Sequence, residues 1–431
     1  MAGLSSLINR PILGLIRDHR VEWSLYLFIA TICVIDVVTS FQTEYGLGSL
    51  SLGQLSKPLV FTFLFIRTIF HKEYRTEMIA IGLFVFYLLW VELSNAYFHQ
   101  DLGYFIKGLA GVQKTTLPFY SYFYLKILMD KGLVDWRILK NCFLFYTFFV
   151  AINVLLPFTL GISFSNYEGG GYSGFYQAGN ELNAYLVVSL PMVLYYGVTY
   201  RDKGALVLVV MVSLVAILTG SKSTLGSVLL SFIYMPFLLH KTRIITIPVI
   251  TIGGIGVASF IWNYIHVILD LLPLGIYGRL IYTIQSRTNI LDILLGVRVF
   301  LFDKYTTEFL NADFYQVVFG KGFQYAHSFM FPIMGKNKSA ELDIVDFIAR
   351  YGMLGFTIFT LFLAYTWYKH HKPKSSFNSS FKFAFILLTI AAVLAGHVLS
   401  NSFLVFLLSI LFALNLCELR GQRPQRKNYA Q

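Results

Sequence analysis

The sequence predicts an all-α, polytopic integral membrane protein with about twelve transmembrane helices, and three observations predict it. Its 431 residues are 56% hydrophobic and 13% charged, whereas a soluble globular chain carries about 25% charge. Apolar stretches of roughly 15 to 25 residues, too many and too long for core helices, recur from Val21 to Leu416. These stretches are continuous, which excludes the alternating pattern of an outer-membrane barrel. A soluble enzyme is therefore excluded, and residues 1–431 form a single transmembrane bundle with no sizeable soluble domain.

The spans follow in order. Val21 to Val38 comes after Arg10, Arg17 and Arg20 with no small-residue cleavage site behind it, and reads as a retained signal anchor. Lys57 to Phe70 and Glu77 to Ser94 flank the charged turn His71-Lys72-Glu73-Tyr74-Arg75. Gly103 to Leu128 and Asn141 to Leu160 come next. Glu181 to Thr199 and Ala205 to Thr219 are joined by Arg201-Asp202-Lys203, and Leu225 to Leu239 and Ile244 to Ile268 by His240-Lys241-Thr242-Arg243. Ile344 to Tyr368, Phe383 to Leu399 and Phe403 to Leu416 complete the set, ahead of a basic cytoplasmic tail at residues 420–431.

With both termini inside, the inner loops and their flanks hold 22 of the 34 lysines and arginines although the longest loop lies outside. That bias sets the orientation, with both termini on the cytoplasmic side. The net charge of +12 is scattered over these loops, so it reports topology and an anionic ligand, not nucleic acid. Cys33, Cys142 and Cys417 lie far apart in separate apolar segments, which argues against both a disulfide framework and a thiolate metal site.

Two outer segments depart from the pattern. Ser163 to Asn180 is rich in Gly, Ser and Tyr, and its triple glycine, Gly169 to Gly171, predicts irregular backbone. Asp270 to Asp343 is the large outer loop, with apolar residues at helical spacing that predict interfacial helices. It carries Arg279, Arg287, Arg298, Lys304 and Lys321, cations on the side that the charge bias disfavours. An arginine fork suits two phosphate oxygens, although such residues also snorkel, bind anionic headgroups or pair with Asp292, Asp303 or Glu308.

His327 follows the turn-forming Gly320-Lys321-Gly322-Phe323 and could accept a hydroxyl proton near neutral pH, or could be a surface histidine without a role. Next, Glu341, Asp343, Asp346 and Arg350 open a span. Asp343, Asp346 and Arg350 share a helical face, and Gly352 and Gly355 permit close helix approach. The helix dipole and an Asp346–Arg350 pair would explain these charges, as would a share in orienting Arg298 or His327. Lys222, in the turn Thr219 to Thr224, either snorkels or aims an ammonium at phosphate. Of the ionisable residues, only Asp36 and Glu92 read as clearly inside spans, both toward the outer end, which argues against a transporter. The acidic cluster has no His or Cys companion at ligand spacing, so neither a metal nor a cofactor is expected.

Taken together, Gly320-x-Gly322 with His327-Ser328, Gly352-x-x-Gly355, Glu341-Leu342-Asp343, Gly179-Asn180-Glu181-Leu182 and Gly220-Ser221-Lys222-Ser223 resemble the bacterial O-antigen polymerase and O-antigen ligase superfamily. The likeness covers roughly Gly174 to Phe356. It implies a GT-C-type glycosyltransferase bundle in a bacterial inner (cytoplasmic) membrane, with residues 270–343 as its large periplasmic loop, acting on undecaprenyl-pyrophosphate-linked oligosaccharide without metal, in contact with membrane lipids and with a chain-length regulator as a candidate partner. It also implies that Arg298 is the family's loop arginine, with Arg287, Arg279 and Lys222 as further pyrophosphate contacts. Lysine stands at 222 where ligases have arginine, which keeps the charge without the two-pronged fork; the gap from His327 to Gly352 is longer than in ligases, and that gap favours a polymerase of O-antigen or capsule. The alternatives are a ligase acting on lipid A-core and a flippase.

Overall fold

The computed structural model describes residues 20–47, 52–167, 170–176, 179–238, 298–328, 342–370, 376–394, 396, 398 and 402–420. An apolar chain in a bilayer must satisfy its backbone internally, and the described residues are accordingly mostly helical. The order is α1 (Arg20–Glu44), α2 (Leu52–Ile69), α3 (Arg75–His99), α4 (Leu102–Asp130), α5 (Trp136–Thr159), β1 (Phe164–Tyr167) and β2 (Gly170–Gly174). Then come α6 (Gly179–Tyr200), α7 (Lys203–Thr219), α8 (Lys222–Leu238), α9 (Arg298–Leu310), α10 (Phe314–Phe319) and α11 (Gly322–Ser328). The last three are α12 (Asp343–His370), α13 (Ser376–Leu394) and α14 (Ser402–Leu419).

The predicted spans fall on helices except Ile244 to Ile268, which lies outside the described residues together with Arg279, Arg287, Glu341 and the tail beyond 420, and the end of Phe383 to Leu399, where the helix stops at Leu394 and Gly396 stands at φ +62. Five helices, α1, α3, α5, α6 and α12, are long and apolar enough to cross a membrane, and α7, α13 and α14 add shorter apolar segments. Large apolar side chains such as Leu27, Leu59, Phe86, Val207 and Leu361 stand exposed on outward faces, as they do where lipid is the solvent.

Helix α6 is the axis. It is apolar around its whole circumference, and Leu182 through Gly197 are all buried. Around it α1, α5, α7, α13 and α14 form one apolar core. A second core joins α2, α3, α4 and α12 through Leu64, Phe84, Phe119, Tyr120, Phe347 and Phe359. Aspartates cap the helix starts: Asp101 accepts from Gly103, Asp135 from Ile138 and Asp202 from Ala205. Gly220 ends α7 in the left-handed conformation at φ +60, which makes the tight turn the sequence predicts before Lys222.

The segment from Ser163 to Asn180 differs from expectation. Phe164–Tyr167 pairs antiparallel with Gly170–Gly174, making a two-stranded hairpin. Glycine permits this arrangement: Gly171 and Gly174 take φ of +75 and +64, and a Cβ on Gly174 would strike the Asn153 carbonyl of α5. The hairpin thus lies against α5, at the end of the bundle where α2, α4, α6 and α12 begin.

Candidate functional site

At this hairpin end a turn of one segment is seated on a break in another. Gly320 and Gly322 stand at φ +84 and +76 on either side of Lys321, a conformation that side chains disfavour. Lys321 N donates to the Ala349 carbonyl at 2.9 Å. Helix α12 breaks at Gly352, where φ is +67 and ψ is −179. A Cβ on Gly320 would meet the Arg350 carbonyl, and one on Gly352 the Val318 carbonyl. The two backbones touch with no room for a side chain. The expected close approach at Gly352 and Gly355 is therefore a backbone contact at a helix break, while Gly355 accommodates the Tyr87 ring.

Charged residues collect around this contact. Asp343, Asp346 and Arg350 are all buried, at 4%, 2% and 5% exposure, so their shared face points inward. Asp343 accepts from Val398 N at 2.8 Å and so ties the start of α12 to the segment before α14, a tie beyond the helix-dipole role that the sequence suggests. The Arg350 guanidinium lies over the Phe323 ring, 4.8 Å from its centroid. Phe323 N donates to both carboxylate oxygens of Glu92, at 3.0 and 3.2 Å.

Further out, Glu308 on α9 accepts from Lys321 Nζ at 2.6 Å and from the Tyr325 hydroxyl at 2.8 Å. Partial burial would raise the Glu308 pKa, but these two donors and the lysine charge outweigh it and hold the carboxyl below its ordinary value. Burial and the Glu308 carboxylate push the Tyr325 hydroxyl up. Lys321 is thus engaged in fastening α9 to the turn.

Helix α9 packs against α12 through Leu301 and Tyr305 on Leu342, Val345 and Ala349. This brings the helix that Arg298 opens alongside the Asp346–Arg350 stretch. Arg298 itself is partly exposed. His327 lies one turn beyond Phe323 on α11, and its side chain is outside the described part of the structure. Lys222 is exposed at the start of α8, which packs on α6, α7 and α13. The structure therefore brings together Asp343, Asp346, Arg350 and the backbone carrying His327, with Arg298 on an adjoining helix; it does not pack the Lys222 helix among them.

The sequence reading missed part of the charge. Besides Asp36 and Glu92, Lys114 lies within α4 and Arg350 within α12. Lys57 pairs with Asp36 at 3.8 Å, and Lys114 is within electrostatic reach of Glu181, Lys57, Arg350 and Asp36. Lys114 was legible as an ammonium well inside an apolar stretch, three residues past Gly111. The arrangement supplies cations partly removed from water, able to meet phosphate oxygens, with carboxylates that hold them in place. Beside it an apolar cavity of about 290 Å³ runs between α4, α12, α13 and α14, from Ile344 and Val398 to Lys126. Among the described residues no group of His, Cys, Asp and Glu has the geometry of a metal site.

No protein-family model matches the chain, and no curated protein matches its sequence.

Proposed function

We propose that the chain is a surface-polysaccharide polymerase of the O-antigen polymerase and ligase type. In this reading twelve spans form a GT-C-type bundle in the bacterial inner membrane, with both termini in the cytoplasm and the hairpin end facing the periplasm. The observation that carries it is the seating of the Gly320–Gly322 turn, and hence of α11 with His327, on the buried Arg350 segment of α12. Two of the motifs that suggested the function, Gly320-x-Gly322 and Gly352-x-x-Gly355, thus meet in space, while the Lys222 helix packs elsewhere.

The reaction joins undecaprenyl-pyrophosphate-linked repeat units. A sugar hydroxyl of the acceptor attacks the anomeric carbon of the donor glycan, the bond from that carbon to the pyrophosphate oxygen breaks, and undecaprenyl pyrophosphate leaves. His327 takes the hydroxyl proton. Arg298, with Arg287, Arg279 and Lys222, meets the negative charge that builds on the leaving group. Asp343, Asp346, Arg350 and Glu341 orient these groups. The apolar cavity beginning at Ile344 offers a path for the isoprenoid tail.

A second reading is favoured by the charges inside helices, Lys114 and the Asp36–Lys57 pair: a flippase of lipid-linked oligosaccharide. The surface glycan of a deletion strain separates the readings. A single repeat unit on the lipid anchor supports a polymerase. Full-length chains stranded on undecaprenyl pyrophosphate indicate a ligase, and accumulation on the cytosolic side indicates a flippase.

A further inference from the structure

We infer that Glu92 is the positioning residue for α11, a carboxylate that sets where His327 stands by gripping the backbone one turn ahead of it. An ionisable side chain in an apolar helix is expensive unless its place is prepared, and Glu92 is 1% exposed. Its place is prepared by α4. Gly108 and Gly111 are spaced i and i+3, so they share a face. A Cβ on Gly108 would collide with the Glu92 carboxylate, and one on Gly111 would lie 2.6 Å from the Phe323 ring. The helix is hollowed at two adjacent points, one for the carboxylate and one for the ring beside it.

The remaining sides are closed as tightly. Gly322 leaves room for Asn95 and Glu92, whose side-chain atoms would come within 3.1 Å of a Cβ there. Asn95 is itself fixed by its amide donating to the Val91 carbonyl at 2.8 Å. Arg350 covers the Phe323 ring and is the opposite charge within electrostatic reach of Glu92. Phe323 is thus held through its amide by α3 and through its ring by α4 and α12. His327 follows Phe323 by four residues, on the same helical face, so a shift of the Phe323 amide moves His327 with it. The role rests on the reading that His327 receives the acceptor proton. Glu92 need not touch substrate.

The test uses the purified full chain in lipid nanodiscs and reads amide hydrogen exchange over residues 322–328 beside transfer activity. Glu92→Ala removes the acceptor and should raise exchange in this segment by about tenfold or more. Glu92→Gln keeps an oxygen that can accept the same N–H, and should stay within about threefold of wild type. Gly108→Ala leaves the carboxylate chemically intact but displaces it, and should exchange like Glu92→Ala. In transfer assays kcat should fall in Glu92→Ala and Gly108→Ala with KM for the donor lipid unchanged, and Glu92→Gln should recover most of the rate. Wild-type exchange in both Glu92→Ala and Gly108→Ala overturns the inference, as does a Glu92→Gln protein that exchanges like Glu92→Ala. If Glu92→Ala fails to accumulate, the contrast between Gly108→Ala and Glu92→Gln decides in the same way. Loosened exchange with undiminished transfer separates the two ideas: Glu92 then seats α11 as described, and the assignment of His327 to the reaction falls.

Discussion

The Tyr87 hydroxyl donates to the main-chain carbonyl of Tyr351 at 2.7 Å, across 264 residues of sequence. That carbonyl stands immediately before the break at Gly352, and a carbonyl left without a donor away from water is costly. Tyr87→Phe keeps the ring against Gly355 and removes the donor. It should destabilise the protein by about 1 to 2 kcal/mol, read as a lower midpoint of thermal unfolding in detergent. An unchanged midpoint would show that the break does not depend on this bond.

Gly352→Ala should be far more severe. The added Cβ meets the Val318 carbonyl, and φ of +67 with ψ of −179 is backbone that only glycine adopts readily. A loss of about 3 kcal/mol or more, or failure to accumulate, is expected. Gly226→Ala in α8 is the control: nothing lies within 4 Å of its Cβ, so exchange of glycine for alanine in a helix should be neutral or stabilising by up to about 1 kcal/mol. Equal midpoints for the two variants would contradict the contact between Val318 and Gly352.

The tether from α9 to the turn should be sensitive to acid. The folded pKa of Glu308 lies below its ordinary value of 4.5, so the stability it contributes is fully present above that value and is lost as pH falls through the folded one. The difference in unfolding midpoint between wild type and Glu308→Gln should be positive at pH 7 and should shrink as pH falls below 4.5. A difference that stays constant from pH 7 to pH 3.5 would rule out the pairing with Lys321 as its source.

Arg298→Lys keeps the charge and loses the two-pronged fork. If Arg298 engages pyrophosphate, transfer should slow by roughly 30- to 1000-fold with weaker affinity for the donor lipid. His327→Ala should slow turnover by about 100- to 10000-fold and leave donor affinity intact. Wild-type glycan length and amount in both variants, at normal protein level, would leave these residues as contacts to lipid headgroups.

Hydropathy made the helices legible because the bilayer imposes length and apolarity locally, residue by residue. The turn at Gly320–Gly322 was legible for the same reason, since glycine declares backbone freedom where it stands. The partners were not. Nothing near Glu92 in sequence announces Phe323, and Gly108 and Gly111 read as ordinary small residues until the carboxylate and the ring are seen in the space they vacate. Gly352 suggested two helices packed closely, whereas it marks a break, because a Gly-x-x-Gly spacing is common to both. The Ser163–Asn180 segment read as irregular because triple glycine disfavours a helix, but glycine at positive φ also permits a tight hairpin.

The bond between Glu92 and Phe323 spans 231 residues, and the ribosome makes its two ends at different times. At roughly 5 to 20 residues per second, about 10 to 50 s separate their synthesis. For most of that interval α3 and α4 are already made, with Gly108 and Gly111 in place, while the amide that donates to the carboxylate does not yet exist. The Glu92 carboxylate therefore waits for this donor until the late-made turn arrives.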